Sequence, residues 1–289
     1  PEQVPGTSLL QSLREQAEAM PALGRALSRI ARKAAGSSDA LSTPFSAPAS
    51  VLNVPVTGQR RYATQRLEID RIKAVGKATG STLNDVVLGL CGSALRRFLK
   101  EANALPGKSL VAAVPVSVRE PGDTTSANAV SIMFSTLGTH IADPIERLTH
   151  IQEATKEGKA HLKSIPKAGH MLYNGFILTP FVLQVITGAG ARRHPVYNVT
   201  VSNVPGPNRP LYLQGAQMEA FYPVSIAAHG QAVNITCTSY NGSLNFGIAG
   251  CRDALPHLQR IAVYAGEALE EMEATLNLNK QPKHRNKAA

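Results

Sequence analysis

Two short stretches hold the side chains best suited to polar chemistry. The first is Val201-Ser202-Asn203-Val204-Pro205-Gly206-Pro207. Hydroxyl and amide groups at the end of a strand can hydrogen-bond an oxygen on which negative charge develops. The second is Thr82-Leu83-Asn84-Asp85, where Asn84 and Asp85 are the polar side chains of an otherwise apolar helix entry. An N-cap at Thr82 with an acid three residues on accounts for Asp85. It gives no local reason for Asn84.

No general base can be assembled from the residues alone. The eight histidines are scattered along the chain, and His229 beside Gly230 has no acidic neighbour in sequence. There is no nucleophile elbow, phosphate loop, HExxH or zinc-ligand spacing. Gly188-Ala189-Gly190-Ala191 has the look of a dinucleotide loop, but no strand precedes it. The three cysteines, Cys91, Cys237 and Cys251, have no CxxC spacing, which points to a reducing compartment and to neither a disulfide framework nor a metal site.

The elements that must position these groups follow from periodicity and turn chemistry. Tyr197, Val199 and Val201 alternate with Asn198, Thr200 and Ser202, a strand that Pro205 and Pro207 stop. An ordinary antiparallel strand with one wet face and the wall of a polar site both fit that pattern. The clearest hairpin runs from Gln231 to Tyr240 and from Ser243 to Ile248 around Asn241-Gly242. A two-residue turn there sets Cys237 opposite Phe246 and Ile235 opposite Ile248, and leaves Asn234, Thr236 and Thr238 on the other face. Further strands are expected at Arg60–Ile69, Ser109–Val118, Ala127–Thr136 and Gln217–Ile226. Helices are expected from Thr7 to Lys33 with a break at Pro21, over Asp70–Thr79 with Gly80 closing it, and over Val86–Lys100. Two more are expected at Pro144–Leu162, capped by Asp143, and Pro256–Leu276. Gly169–Ala191 is apolar, and Gly175, Pro180 and Gly188 predict broken helices there. Interleaved strands and helices give an α/β fold with a mixed sheet flanked by helices. Residues 1–55 read as a helical and linker segment, 56–276 as one domain and 277–289 as a basic tail.

With 289 residues, 43% hydrophobic and 17% charged, the chain can bury a sizeable core. No run is long and apolar enough to span a bilayer. The net charge of +10 suggests an anionic partner. There is no tryptophan and no interleaving of aromatic and basic residues, so nucleic acid is not the expected one. The arginines and lysines of the N-terminal helical region suit either a surface helix or one lying on anionic lipid.

Four ordered motifs go further. They are Thr82-Leu83-Asn84-Asp85-Val86-Val87-Leu88, Val114-Pro115-Val116-Ser117-Val118-Arg119, Val201 to Pro207, and Val233-Asn234-Ile235-Thr236 with Ser239-Tyr240. Together, from about Leu52 to Met272, they resemble the C-terminal part of the bacterial wax ester synthase/diacylglycerol acyltransferase family. The resemblance implies one half of the two-domain fold of CoA-dependent acyltransferases, with the active site in a tunnel between the halves. It implies transfer of a fatty acyl group from acyl-CoA, a co-substrate, to a long-chain alcohol or a diacylglycerol. No bound cofactor or metal is implied. The family's general base lies in an HHxxxDG signature, and no such run occurs in this sequence. The expectation is therefore a chain that supplies the C-terminal half of the tunnel and is inactive without an N-terminal segment of the same enzyme. A non-catalytic lipid- or partner-binding half-domain is the alternative.

The resemblance also assigns roles. Asn84 and Asp85 match the family's ND motif and would organise the interdomain face. Ser202 and Asn203 would hydrogen-bond the thioester oxygen or the alcohol. Arg119, Arg192 and Arg193 are candidates for the CoA phosphates, since guanidinium forks match phosphate oxygens; plain surface charge explains them as well. Leu172, Phe176, Ile177, Phe181 and Val182 would line the acyl or alcohol tunnel. The expected setting is cytoplasmic, peripheral to a membrane or lipid inclusion.

Overall fold

A computed structural model describes residues 20–22, 24–26, 28, 46–118, 130–166, 169–187 and 195–278. Its centre is a six-stranded mixed sheet in the order β1-β8-β7-β4-β2-β3. The strands are β1 (Arg60–Glu68), β2 (Val111–Ser117), β3 (Val130–Thr136), β4 (Val199–Val204), β7 (Val233–Tyr240) and β8 (Ser243–Cys251). A separate two-stranded ribbon pairs β5 (Tyr212–Leu213) with β6 (Ala216–Gln217). The helices whose bounds lie among the described residues are α1 (Ile69–Thr79), α2 (Leu83–Glu101), α3 (Pro144–Lys163), α4 (His170–Thr187) and α5 (Gln259–Thr275). The α/β class and its mixed sheet are as the sequence predicts.

The hairpin register is the one the turn dictates. Cys237 opposes Phe246, Ile235 opposes Ile248, and Tyr240 opposes Ser243. Asn241 and Gly242 both take positive φ, 42° and 80°, as a two-residue primed turn requires. Ile235, Cys237, Leu244, Phe246 and Ile248 are buried on one face, in one core with Leu95 and Leu99 of α2 and Ile261 and Leu269 of α5. Each such side chain contributes roughly 1.5–3 kcal/mol by leaving water.

Caps fix the helix ends. Gly80 is left-handed at φ 69° and its N–H bonds back to Gly76. Asp143 accepts from the N–H groups of Ile145 and Glu146 at 2.9 and 2.8 Å. Thr82 and Asp85 form the expected capping box. A buried arginine escapes sequence reasoning. Arg147, 3% exposed, donates to the carbonyls of Ile141 and Ala142 and to the Ser93 hydroxyl, holding the loop before α3 against α2.

Three expectations change. Gly169–Ala191 is expected as broken helices, yet His170–Thr187 is one helix with Pro180 inside it. Proline removes one donor there, and on an exposed face the freed carbonyl can turn to water. The strand expected at Gln217–Ile226 shrinks to Ala216–Gln217, and the rest runs over the sheet as an irregular strap. Its groups are satisfied from the sheet instead: Tyr62 donates to the Pro223 carbonyl at 3.0 Å, and the Ser225 and Thr236 hydroxyls share a 2.6 Å bond. The stretch read as linker is anchored where it is described. Asn53, fully buried, donates to the carbonyls of Tyr197 and Gly230 at 2.9 and 2.8 Å. The helix expected from Thr7 to Lys33 is helical at 20–22, 24–26 and 28; its remainder and the tail beyond Leu278 lie outside the described residues.

Burial pushes the Cys91 thiol and the Tyr173 and Tyr197 phenols up to about 12 each. The folded chain keeps them neutral where an unfolded chain ionises them from about pH 9–10. Their contribution to stability is complete below about pH 8 and is lost as pH rises toward 12. Urea midpoints compared at pH 8 and near pH 10.5 are expected to show a fall of about 3–4 kcal/mol in unfolding free energy.

Candidate functional site

The site builds outward from the start of α2. Asp85 turns inward and is 2% exposed. Its Oδ2 accepts the Thr82 backbone N–H at 2.9 Å and the Thr82 hydroxyl at 2.7 Å. Its Oδ1 accepts the Thr155 hydroxyl of α3 at 2.6 Å, and Lys159 Nζ stands 3.7 Å away. The carboxylate therefore ties the first turn of α2 to the middle of α3. Held this way, the helix presents the preceding residue, Asn84, to the outside.

Asn84 meets the end of β4. The Asn203 side-chain NH2 donates to Asn84 Oδ1 at 2.6 Å. That bond uses the Asn84 carbonyl oxygen and leaves its NH2 as a donor beside the N-terminus of α2, where the helix dipole favours negative charge. Asn203 follows Val199 and Val201 at period two and so continues the row that faces α2. Ser202, its neighbour, is on the opposite face, paired in register with Thr236. Ser202 and Asn203, expected as one wall, thus belong to two sides of the sheet. The polar group that reaches Asn84 comes from the apolar row, because strand alternation carries past the last buried valine.

The sheet opens at the same place. β4 runs parallel to both β2 and β7. It stays in register with β7 through Val204, but with β2 only at Ala112–Val199 and Ala113–Thr200. Pro115 lies within β2, two residues past its last pair with β4, and its missing N–H is tolerated where that side has no partner strand. A crevice outside the carboxyl ends of diverging parallel strands is where open α/β sheets take ligands. The turn after β4 is fixed to β7: Gly206 N–H donates to Ser239 Oγ at 2.9 Å.

Other sequence candidates take different places. Phe181 packs its ring 4.9 Å from that of Tyr197, and Ile177 is 1% exposed. Leu172, Phe176 and Val182 point outward on the other face of α4. The five apolar candidates therefore divide between two faces of one helix. Arg119, Arg192 and Arg193 lie outside the described residues. His229 has a structural task, its Nδ1 accepting the Val56 N–H at 3.1 Å. Strand alternation places Asn198 on the polar face of its strand. It is fully buried, accepts from Val111 N–H at 2.9 Å and donates to Asn53 Oδ1 at 2.7 Å, locking β2, β4 and the 48–53 segment together. An asparagine within a strand was the available signal; nothing in sequence marked its partner Asn53. Among the described residues, no group of three His, Cys, Asp or Glu is placed to hold a metal ion.

A mixed sheet with this order and these helices defines the fold shared by acyltransferases and condensation domains. The starter condensation domain of rhizomide synthetase superposes with TM-score 0.54 at 14% identity, over 98% of this chain and 59% of that one. At that identity the likeness concerns the fold alone. The particular family is closer. The model of the wax ester synthase/diacylglycerol acyltransferase (WS/DGAT) C-terminal domain matches residues 126–273, and that of the family's catalytic domain matches residues 3–87. The chain belongs to the WS/DGAT family. A putative diacylglycerol O-acyltransferase of Mycobacterium tuberculosis strain H37Rv is 47% identical over 231 residues, 79% of this chain and 46% of that protein. The O-acyltransferase WSD of Acinetobacter baylyi is 36% identical over 93% of this chain and 58% of its own length. The wax ester synthase/diacylglycerol acyltransferase of Marinobacter aquaeolei VT8 superposes with TM-score 0.72 at 35% identity, over 95% of this chain and 60% of that one. The chain thus spans about half the length of the relatives it matches. The catalytic-domain match runs through Asn84 and Asp85 to residue 87, so the chain carries part of that domain together with the C-terminal one.

Proposed function

We propose that this chain forms part of an acyl-CoA-dependent O-acyltransferase that moves a fatty acyl group onto a long-chain alcohol or a diacylglycerol. The names of its relatives support that reaction class. The observation that carries the site is the 2.6 Å bond from Asn203 to Asn84, made at the N-terminus of a helix and the mouth of a sheet crevice. In the reaction, an alkoxide forming on the alcohol attacks the thioester carbonyl, and negative charge collects on the carbonyl oxygen before CoA thiolate leaves. The Asn84 NH2 is the donor for that oxygen. Asn203 is a positioning residue that keeps the Asn84 amide from turning its oxygen outward. Asp85 holds the helix start that carries both.

The proton on the alcohol needs a base, which the family's HHxxxDG signature would supply; the sequence holds no such run. Arg119, Arg192 and Arg193 are proposed for the CoA phosphates. Ile177 and Phe181 are proposed for the tunnel wall. Fatty acyl substrates and products gather at membranes and lipid inclusions, and a peripheral position at such a surface on the cytoplasmic side fits this reading.

The test combines the chain with a family segment bearing HHxxxDG and follows ester formation from palmitoyl-CoA and hexadecanol. Asn84→Ala is expected to lower kcat by about 100-fold with little change in KM, the size of effect seen when one oxyanion donor is removed. Asn203→Ala is expected to cost less, roughly tenfold, because a lone Asn84 amide still finds the productive orientation part of the time. Asn203→Asp offers only acceptors, so it turns the Asn84 amide around and is expected to match Asn84→Ala. The double variant Asn84→Ala/Asn203→Ala should be no slower than Asn84→Ala alone. Full activity in Asn84→Ala would refute the donor role. Turnover by the chain without the added segment would show that the base lies within it.

A further inference from the structure

A cavity of about 200 Å³ opens between the last turn of α2 and the start of α5. It lies at the other end of α2 from Asn84, and Glu101 on its wall is roughly 26 Å from Asn84 along the helix axis. The space is left by small side chains, Ala102 and Ala104 after α2 and Ala254 before α5. Interiors pack to crystal density, so a hollow lined by alanines is room that the protein's own side chains leave open. Phe98 and Leu255, 7% and 2% exposed, form its apolar base, and the more exposed Val51 its lip. The walls are tied down. Arg61 donates to the Pro256 carbonyl and, at 2.9 Å, to Gln259 Oε1, which fixes the turn into α5. The Ala104 N–H donates to the Leu99 carbonyl at 2.8 Å, and Asn53 anchors the segment that carries Val51.

The polar side of the cavity holds Glu101, His257 and Arg260. The Glu101 carboxylate is committed within the protein. It accepts from the Tyr264 hydroxyl and from Arg97 Nε at 3.3 Å, and it pairs with Arg260 Nη1 at 3.2 Å. The Tyr264 bond, helped by the two arginines, holds its carboxyl below the usual carboxylate range. Arg97 is committed too, to Glu101, to Glu267 and over the ring of Tyr264 at 4.4 Å. Arg260 is less so. Among the described residues its one ion pair is the 3.2 Å contact, and its side chain is 56% exposed. The arginines at 61, 97 and 260 outnumber the carboxylates at 101 and 267, so one further anion balances the group. A guanidinium fork takes a carboxylate through parallel N–H donors, and His257 lines the same wall. An apolar hollow with such donors on one side fits a small amphiphile. A cavity of about 150 Å³ holds benzene, so this one has room for a chain of about six to eight carbons. We propose that the cavity binds a medium-chain monocarboxylate, with its carboxylate on Arg260 and His257 and its chain against Phe98, Leu255 and the three alanines. The inference does not rest on the acyl-transfer reading.

Titration of the isotope-labelled 289-residue chain with sodium octanoate, followed by heteronuclear NMR, tests it. Saturable shifts are expected at the amides of Ala102, Ala104 and Ala254, with a dissociation constant of roughly 1 mM or below. Octanol has the same chain and no charge, and it is expected to bind about tenfold more weakly, the size of one charge-assisted bond. Arg260→Gln is expected to remove that difference, weakening octanoate about tenfold and leaving octanol unchanged. Ala104→Leu fills the hollow and is expected to abolish binding of both. Ala254→Leu should do the same, and it keeps the test open should one of the two disturb folding, which far-UV circular dichroism reports. Absence of a saturable shift with octanoate overturns the proposal. So do equal affinities for octanoate and octanol, and binding of inorganic phosphate as tight as that of octanoate. Shifts that gather around Asn84 and Asn203 while the alanine amides stay still place the ligand in the crevice and overturn it too, as does undiminished octanoate binding in the filled variants. Octanoate carries no thioester, so failure here leaves the acyl-transfer reading standing, and loss of acyl transfer in the Asn84 variants leaves this one standing.

Discussion

Asp85→Ala is expected to unfold with a free energy about 3 kcal/mol below that of the parent chain. The Thr82 N–H and the Thr82 hydroxyl lose their carboxylate acceptor, and the Thr155 hydroxyl is left with the Gln152 carbonyl at 3.1 Å. Loss of the acid's part in the capping box costs about 1 kcal/mol on its own. Thr155, 2% exposed, then exchanges a charge-assisted bond for its longer one to the Gln152 carbonyl, and the tie between the two helices is lost, which adds roughly 1–2 kcal/mol. The Lys159 contact is long, 3.7 Å, and its lysine is 35% exposed, so it contributes little. Urea denaturation checks the sum. Asp85→Asn keeps the shape and one acceptor oxygen and should recover part of the loss, while Lys159→Met should cost less than about 1 kcal/mol. A midpoint for Asp85→Ala equal to that of the parent would show that the carboxylate is not what joins α2 to α3. In the acyl-transfer assay the same variant should lower activity by disordering the helix start that carries Asn84.

Gly206→Ala is the second substitution with a large expected effect. A Cβ on Gly206 would lie 2.1 Å from the Ser239 carbonyl oxygen and 3.1 Å from Thr238 Oγ1. The near obstacle is backbone within β7, which cannot step aside as a flexible side chain could. The turn must lift off the sheet, breaking the Gly206 N–H bond to Ser239 Oγ and straining the Asn241 N–H bond to the Pro207 carbonyl. A cost of about 2–3 kcal/mol in unfolding free energy is expected. Because Asn203 stands three residues before the turn, its bond to Asn84 should weaken as well. In a family enzyme carrying this change, kcat should fall toward the Asn203→Ala level with the fold retained. Gly58→Ala serves as the control, for its added Cβ would meet nothing within 4 Å.

Much of the scaffold was legible because it follows from local rules. The Asn241-Gly242 turn requires positive φ at both residues, and that alone set the β7–β8 register. Thr82, Asp85, Gly80 and Asp143 act on their own or adjacent helix turns, so sequence spacing was enough to read them. Asn84 was visible as a polar residue with no local task. The structure gave it one, 119 positions away at Asn203. Helix α4 shows the opposite case: local breakers at Gly175 and Pro180 predicted an interruption, yet an exposed face let the helix continue.

What the sequence by itself determined is most of the elements, the α/β class, the polar pair at 84–85 and the strand that carries Asn203 near its end. Each depends on contacts within a few residues or on strand alternation, whose periods are fixed by backbone geometry. What only the tertiary structure decided is which of those polar groups meet. It separated Ser202 from Asn203, took Asp85 into the protein and left Asn84 at the surface. It buried Asn198 and Arg147, and it turned the apolar side of α4 outward. These outcomes depend on the parallel alignment of β4 between β2 and β7 and on the packing of α2 against α3. Such contacts join residues far apart in the chain, and no local spacing encodes their geometry.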